Sequence, residues 1–216
     1  MYRIVFLWLG SFCFFQCEKK QQEQLALPYY NTPDFTPLFI DNSVEISTKI
    51  THRIANFALL NQDSVWVTQQ AIEGKIHVAN FIFTSCPSIC PTMTKNLKIV
   101  NDSLQNDEEV VLLSYSVTPW IDKTSVLKKY KTTHDIRNPR WHFLTGSKGT
   151  IYTLARQSYF AEEDLGFSKD STEFLHTEHL LLIDKNKRIR GIYNGTLRLE
   201  MTQLLEDIHT LKQSDN

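Results

Sequence analysis

Cysteine is scarce in this chain: there are four among 216 residues, and two of them, Cys13 and Cys17, fall at the very start. The other two, Cys86 and Cys90, are too few for the multi-bridge framework that holds small secreted domains together. Beyond the N-terminus no apolar run reaches about 18 residues, so no internal membrane-spanning helix is expected. Neither sign of charge dominates. Twenty-three Lys and Arg against 24 Asp and Glu leave a net charge of -1, so no global field points to nucleic acid or to an acidic surface as partner. There is no internal repeat and no low-complexity tract. What remains is ordinary for a folded domain, with 42% hydrophobic and 12% aromatic residues. About 200 residues follow a short leader, enough for one sizeable core but hardly for two.

The leader is residues 1–17. Arg3 supplies positive charge, and Ile4 to Phe15 is apolar apart from Gly10 and Ser11. Twelve helical residues span about 18 Å, well short of the ~30 Å hydrocarbon core, which favours a signal peptide over a spanning anchor. Cys17 stands where charge begins (Glu18, Lys19, Lys20), as at a bacterial lipoprotein cleavage site, although Phe14, Phe15 and Gln16 are bulky for such a site. Lipidation of Cys17 is the favoured reading; an uncleaved anchor and a simple secreted form are the alternatives. Residues 18–49 read as a tether followed by a Pro- and aromatic-rich segment lying extended on the domain, with no period of 2 or 3.6.

The domain proper is expected over 50–216. Phe57–Asn61 and Ser64–Thr68 read as a hairpin, and Val78–Phe83 and Val110–Val117 as strands buried on both faces. Met93–Leu104, Lys123–Lys131, Thr150–Phe160 and Arg198–Lys212 have helical spacing, Trp141–Leu144 is a short strand, and Glu178–Asp184 pairs with Ile189–Asn194. An N-terminal hairpin, alternating strands and helices, then a second hairpin and a closing helix predict an α/β thioredoxin-like sandwich: a central mixed sheet flanked by helices.

Cys86 and Cys90 lie where the first buried strand meets a helix, in Phe81-Ile82-Phe83-Thr84-Ser85-Cys86-Pro87-Ser88-Ile89-Cys90-Pro91. A helix N-terminus offers free N–H groups and positive potential, both of which stabilise a thiolate. Pro91 suits a first helical position. Residues four apart on a helix have Cα atoms about 6 Å apart, inside the disulfide window, so a disulfide and a shared metal are both open. The spacing is one residue longer than the thioredoxin C-x-x-C. No second C-x-x-C exists to complete a four-thiolate zinc site. Two soft thiolates with room for an imidazole suit copper, especially Cu(I). Thiol redox chemistry is the competing reading, and two buried structural cysteines the bland one. A peroxidatic cysteine is disfavoured because the Pro-x-x-x-Thr context is absent before Cys86.

The F-x-F-T-x-C-P-x-x-C-P stretch resembles the Sco/SenC family of thioredoxin-fold copper proteins. The resemblance extends over roughly 50–212, through Ser116-Val117-Thr118-Pro119 with Asp122 and Leu127, and through Phe143-Leu144-Thr145-Gly146. Thr118 stands where the family usually has an aspartate, while Asp122 is kept. The resemblance implies a copper metallochaperone, handling Cu(I), Cu(II) or both. It aids assembly of the binuclear copper centre of cytochrome c oxidase, with a copper-accepting oxidase subunit as partner. The implied setting is a bacterial envelope membrane, with the domain in the periplasm or on the outer face and an N-terminal anchor.

The family's third copper ligand is a histidine opening a late strand. His176-Thr177-Glu178-His179-Leu180-Leu181-Leu182-Ile183 fits if His176 is the ligand, with Leu175 before it where an aspartate is usual. His179 is the competitor, and its parity on one strand is opposite to that of His176. His52, His77, His134, His142 and His209 read as surface or satisfied structural residues. Copper is thus expected on Cys86, Cys90 and His176. The reading is not primarily enzymatic. The alternative is an envelope thiol–disulfide oxidoreductase that reduces partner cysteines through Cys86 and Cys90, and the last is a lipoprotein that uses the fold for binding only.

Overall fold

The computed structural model describes residues 26–161 and 177–214. Its centre is strand β5, met fifth in chain order. The chain opens with β1 (Tyr29–Tyr30), β2 (Pro37–Leu38) and helix α1 (Ser43–Lys49), then the hairpin β3 (Ala58–Asn61) and β4 (Trp66–Thr68). Next come β5 (Ile76–Ile82), α2 (Ile89–Ser103), β6 (Val110–Ser116), α3 (Thr124–Thr133) and β7 (Trp141–Thr145). Helix α4 (Lys148–Thr153) runs into a π-helical turn at Leu154–Ser158. The chain then returns with β8 (His179–Ile183), β9 (Ile189–Asn194) and α5 (Arg198–Ser214).

The nine described strands form one sheet in the order β2-β1-β9-β8-β5-β6-β7-β3-β4. β5, β6 and β7 are parallel neighbours, and the remaining pairs are antiparallel, so the sheet is mixed. All seven residues of β5 and all seven of β6 are buried, because helices cover both faces of these parallel strands. Alternation splits the core in two. Ile76, Val78, Leu112, Leu180 and Leu182 join Cys90, Met93, Leu127 and Leu204 on the face covered by α2, α3 and α5. Ala79, Phe81, Leu113, Tyr115, Leu181 and Ile183 pack on the opposite face with Ile151, Tyr152 and Tyr159. This is the expected sandwich.

Two sequence expectations change. The stretch before Ile50 was expected to lack regular elements, yet Tyr30 pairs with Ile189 and brings β1 onto the sheet edge beside β9. Arg190 fixes that edge: its guanidinium lies 3.8 Å from the Tyr29 ring centroid and donates to the Leu27 and Pro28 carbonyls. Helix α1 also falls in this stretch. Asn42 caps it, its Oδ1 accepting from the Val44 and Glu45 amides. The other change is at α2, which begins at Ile89, four residues earlier than periodicity suggests. Pro91 is its third residue, still within the first turn, where a missing N–H costs nothing.

Candidate metal centre

After Ile82 the chain leaves the sheet, and a turn closes from the Cys86 amide to the Phe83 carbonyl at 3.2 Å. Helix α2 follows at once. Its cap residue, Ser88, makes no side-chain capping bond. The helix amides find a different acceptor, the Cys86 sulfur. Burial by itself would raise the Cys86 thiol, but the amides of Cys90, Ser88 and Ile89 together with the Cys90 thiol hold it below the ordinary thiol range. Cys90 behaves oppositely. It is the second residue of α2 and faces the core, and burial pushes it up to about 12, with the Phe83 backbone pulling the other way and the Cys86 sulfur adding to the rise. Both cysteines are free thiols. One sulfur is thus half-exposed and easily ionised; the other is buried and protonated.

This difference is measurable. A pH series of alkylation rates on the reduced protein is expected to show Cys86 reacting first, with its rate reaching half-maximum below the pH of an ordinary thiol, while Cys90 stays unmodified until the protein unfolds. Equal rates at the two sites would contradict the geometry.

The loop is held by a buried carboxylate. Asp122 is fully buried and accepts four hydrogen bonds: from the Thr84 amide (3.2 Å) and hydroxyl (2.5 Å), the Ser116 hydroxyl (2.7 Å) and the Thr118 hydroxyl (2.9 Å). It therefore ties the strand end two residues before Cys86 to the loop leaving β6. Thr118, which replaces the aspartate usual in similar sequences, acts here as a donor to Asp122. On the other side of the pair, the Tyr130 hydroxyl contacts Thr94 Oγ1 at 2.9 Å and donates to the Cys90 carbonyl at 3.5 Å. Sequence reading noted Asp122 without assigning it a task and gave Tyr130 none; a tyrosine at an inward helical position is indistinguishable from core.

The third ligand is the remaining question. Among the described residues no group of three His, Cys, Asp or Glu side chains is placed to hold a metal. His176, Leu175 and Cys17 lie outside the described residues. The competitor, His179, lies on the opposite face of the sheet from Cys90. It opens β8 with the parity of Leu181 and Ile183, which pack on the side of the sheet away from Cys90. Its ring instead meets Phe35 edge-on at 6.1 Å. Three of the other histidines have structural surroundings, and His209 is exposed. His52 stacks on Phe160 and bonds the Ser158 carbonyl, His77 is buried against the Tyr159 hydroxyl, and His134 packs on Tyr130. The donor set of the described residues, two sulfurs at a helix N-terminus, fits a soft metal ion and equally fits reversible disulfide formation.

The SCO1/SenC family model matches residues 47–213. The chain belongs to the SCO1/SenC family. A SCO1 protein homolog from Bacillus subtilis (strain 168) is 28% identical over 166 residues, which is 76% of this chain and 85% of that protein. Among solved structures, a SCO1/SenC family lipoprotein from Bacillus anthracis superposes with a TM-score of 0.65 at 25% identity, covering 76% of this chain and 96% of its own. BsSco, described as a member of the Sco family of cytochrome c oxidase assembly proteins and as carrying a disulfide switch, gives 0.63 at 26% identity over 75% and 94%. Bradyrhizobium japonicum ScoI, solved with copper bound, gives 0.58 over 73% and 98%; at 24% identity that likeness is one of fold. The mixed sheet flanked by helices is therefore the thioredoxin-like fold of the SCO1/SenC proteins.

Proposed function

We propose that this chain is a membrane-tethered copper metallochaperone. It holds copper through Cys86, Cys90 and His176 and aids assembly of the binuclear copper centre of cytochrome c oxidase. The observation that carries this reading is the sulfur pair itself: two free thiols at one helix N-terminus, the outer one held in a readily ionised state, on a SCO1/SenC domain. Copper is cargo here. A soft, three-ligand site fits Cu(I) and leaves room for an incoming ligand during hand-over. BsSco is described as a member of a family of cytochrome c oxidase assembly proteins, which supports carrying that role to this relative, while the copper reading rests on the thiol pair itself. His176 is assigned from the resemblance of His176-Thr177-Glu178-His179-Leu180 to the family's ligand pattern, and the packing of the His179 ring on Phe35 supports it. Lipidation of Cys17 after removal of residues 1–16 would set the domain on the outer face of a bacterial envelope membrane; the Bacillus anthracis relative is described as a lipoprotein.

The test is a competitive copper titration of the reduced protein. His176→Ala is expected to weaken binding by about tenfold or more. His179→Ala is expected to leave affinity unchanged. The reverse pattern would transfer the ligand role to His179 and refute the assignment.

One observation favours a second reading. An exposed thiol of lowered pKa beside a buried one of raised pKa is also an attacking and resolving pair. A thiol–disulfide oxidoreductase of this kind would reduce partner cysteines before they receive copper. Reduction of a partner disulfide by the metal-free protein, with no copper bound under any condition, would establish it in place of the first.

A further inference from the structure

The exit from the site is apolar and basic. Cys90 is buried, so an acceptor can meet the metal only at the Cys86 side of the pair. That side is flanked by large apolar side chains left in solvent: Ile89 is 44% exposed, and Trp120 and Ile121 are each 49% exposed. β5 and β6 run parallel, so the loops that follow them leave the same end of the sheet, one carrying Cys86 and Ile89, the other Trp120 and Ile121. The Asp122 bonds to Thr84 join the two loops directly. A tight turn, with the Ile121 and Asp122 amides both bonded to the Thr118 carbonyl at 2.8 Å, projects Trp120 and Ile121 outward.

Two cations border this patch. Lys148 Nζ lies 5.4 Å from the Trp120 ring centroid, and Lys123 Nζ donates to the Pro119 carbonyl at 3.0 Å. Among the described residues neither has a carboxylate partner. Exposed aromatic and aliphatic side chains bordered by charge of one sign among the described residues have the make-up of a docking site: apolar anchors at the centre and a steering rim.

We propose that Ile89, Trp120 and Ile121, bordered by Lys123 and Lys148, form the docking surface for the protein that takes copper from this chain, and that this partner carries an acidic rim around its own thiol ligands. The inference rests on the metallochaperone reading and adds the partner's surface chemistry to it. Copper crosses without a change of oxidation state. A bond to the acceptor's thiolate forms as the bond to Cys86 breaks, and the proton released by the acceptor thiol ends on the freed Cys86 sulfur.

The experiment mixes copper-loaded full-length protein in detergent with the reduced, metal-free domain of the oxidase subunit that carries the binuclear copper centre, and follows transfer by stopped flow at low and high ionic strength. The Lys123→Glu/Lys148→Glu variant is expected to transfer about tenfold more slowly at low salt and to lose the salt dependence. Trp120→Ser/Ile121→Ser is expected to slow transfer by a similar factor at both salts. Both variants should keep the copper affinity of the parent within about twofold, which also shows that they fold. Parent-like transfer by both variants would overturn the docking surface and leave the copper function standing. A parent protein that binds the acceptor through these residues, seen as a change in Trp fluorescence lost in the variants, but passes no copper would keep the surface and sink the function. Absence of both binding and transfer would overturn both. A self-association that the variants abolish would reassign the patch to a second copy of this chain.

Discussion

Serine at either position of the pair is expected to abolish tight copper binding, by about a hundredfold or more in a chelator competition. Serine is nearly the size of cysteine but offers a hard oxygen of very high pKa in place of a soft thiolate, and copper, above all Cu(I), selects sulfur. The loss follows from ligand chemistry rather than unfolding: Cys86→Ser should lower the unfolding free energy by less than about 1 kcal/mol, and Cys90→Ser, which buries a hydroxyl in the core, by about 1–3 kcal/mol, with both variants still folded. The two variants nevertheless differ in a second respect. Cys90→Ser retains the readily ionised Cys86 and loses the buried partner that would resolve a mixed disulfide, so it should accumulate such adducts with oxidised partners. Cys86→Ser should form none. If Cys90→Ser kept parent affinity for copper, the pair would not be the metal site.

The other large effect falls on a residue that touches neither sulfur. Asp122→Ala is expected to destabilise the domain by about 3–5 kcal/mol in denaturant unfolding. The change removes a buried acceptor from four donors and leaves the hydroxyls of Ser116 and Thr118, and both donors of Thr84, without it. Each buried donor deprived of its partner costs about 1–3 kcal/mol, with partial relief as the hydroxyls rotate elsewhere. Asp122→Asn keeps one carbonyl oxygen and should cost about half as much. Beyond stability, the clamp positions the cysteine loop. Variants at Asp122 should therefore weaken copper binding and raise the alkylation rate of Cys90 even under conditions where they remain folded. A variant at full stability and full copper affinity would reduce Asp122 to an incidental core polar group.

How much of this was legible beforehand depended on the kind of signal. β5 and β6 announced themselves as unbroken apolar runs because both faces of a parallel strand are covered. Cys86 and Cys90 stood out because their spacing and flanking prolines leave few chemistries open. Helix α1 was missed because it buries nothing. With no apolar stripe, periodicity has nothing to report, and the one available signal was its cap, Asn42 followed three residues later by Glu45. β1 was missed because a two-residue strand is specified by its partner, here Ile189 and the Arg190 clamp, rather than by its own pattern. For His176 and His179, parity says only that they would differ on one strand; the packing of Leu181 and Ile183 says which face His179 takes, and His176 lies outside the described residues. The role of Asp122 needed the fold as well, since Thr84, Ser116 and Asp122 meet only after a crossover through α2.

The measurement that bears most directly on the central claim is X-ray absorption at the copper edge on the one-to-one complex of the reduced protein. Two sulfur scatterers and one imidazole are predicted, with the imidazole signal lost in His176→Ala and retained in His179→Ala. A shell of nitrogen and oxygen alone, or a sulfur signal unchanged when Cys86 and Cys90 are both replaced by serine, would contradict it.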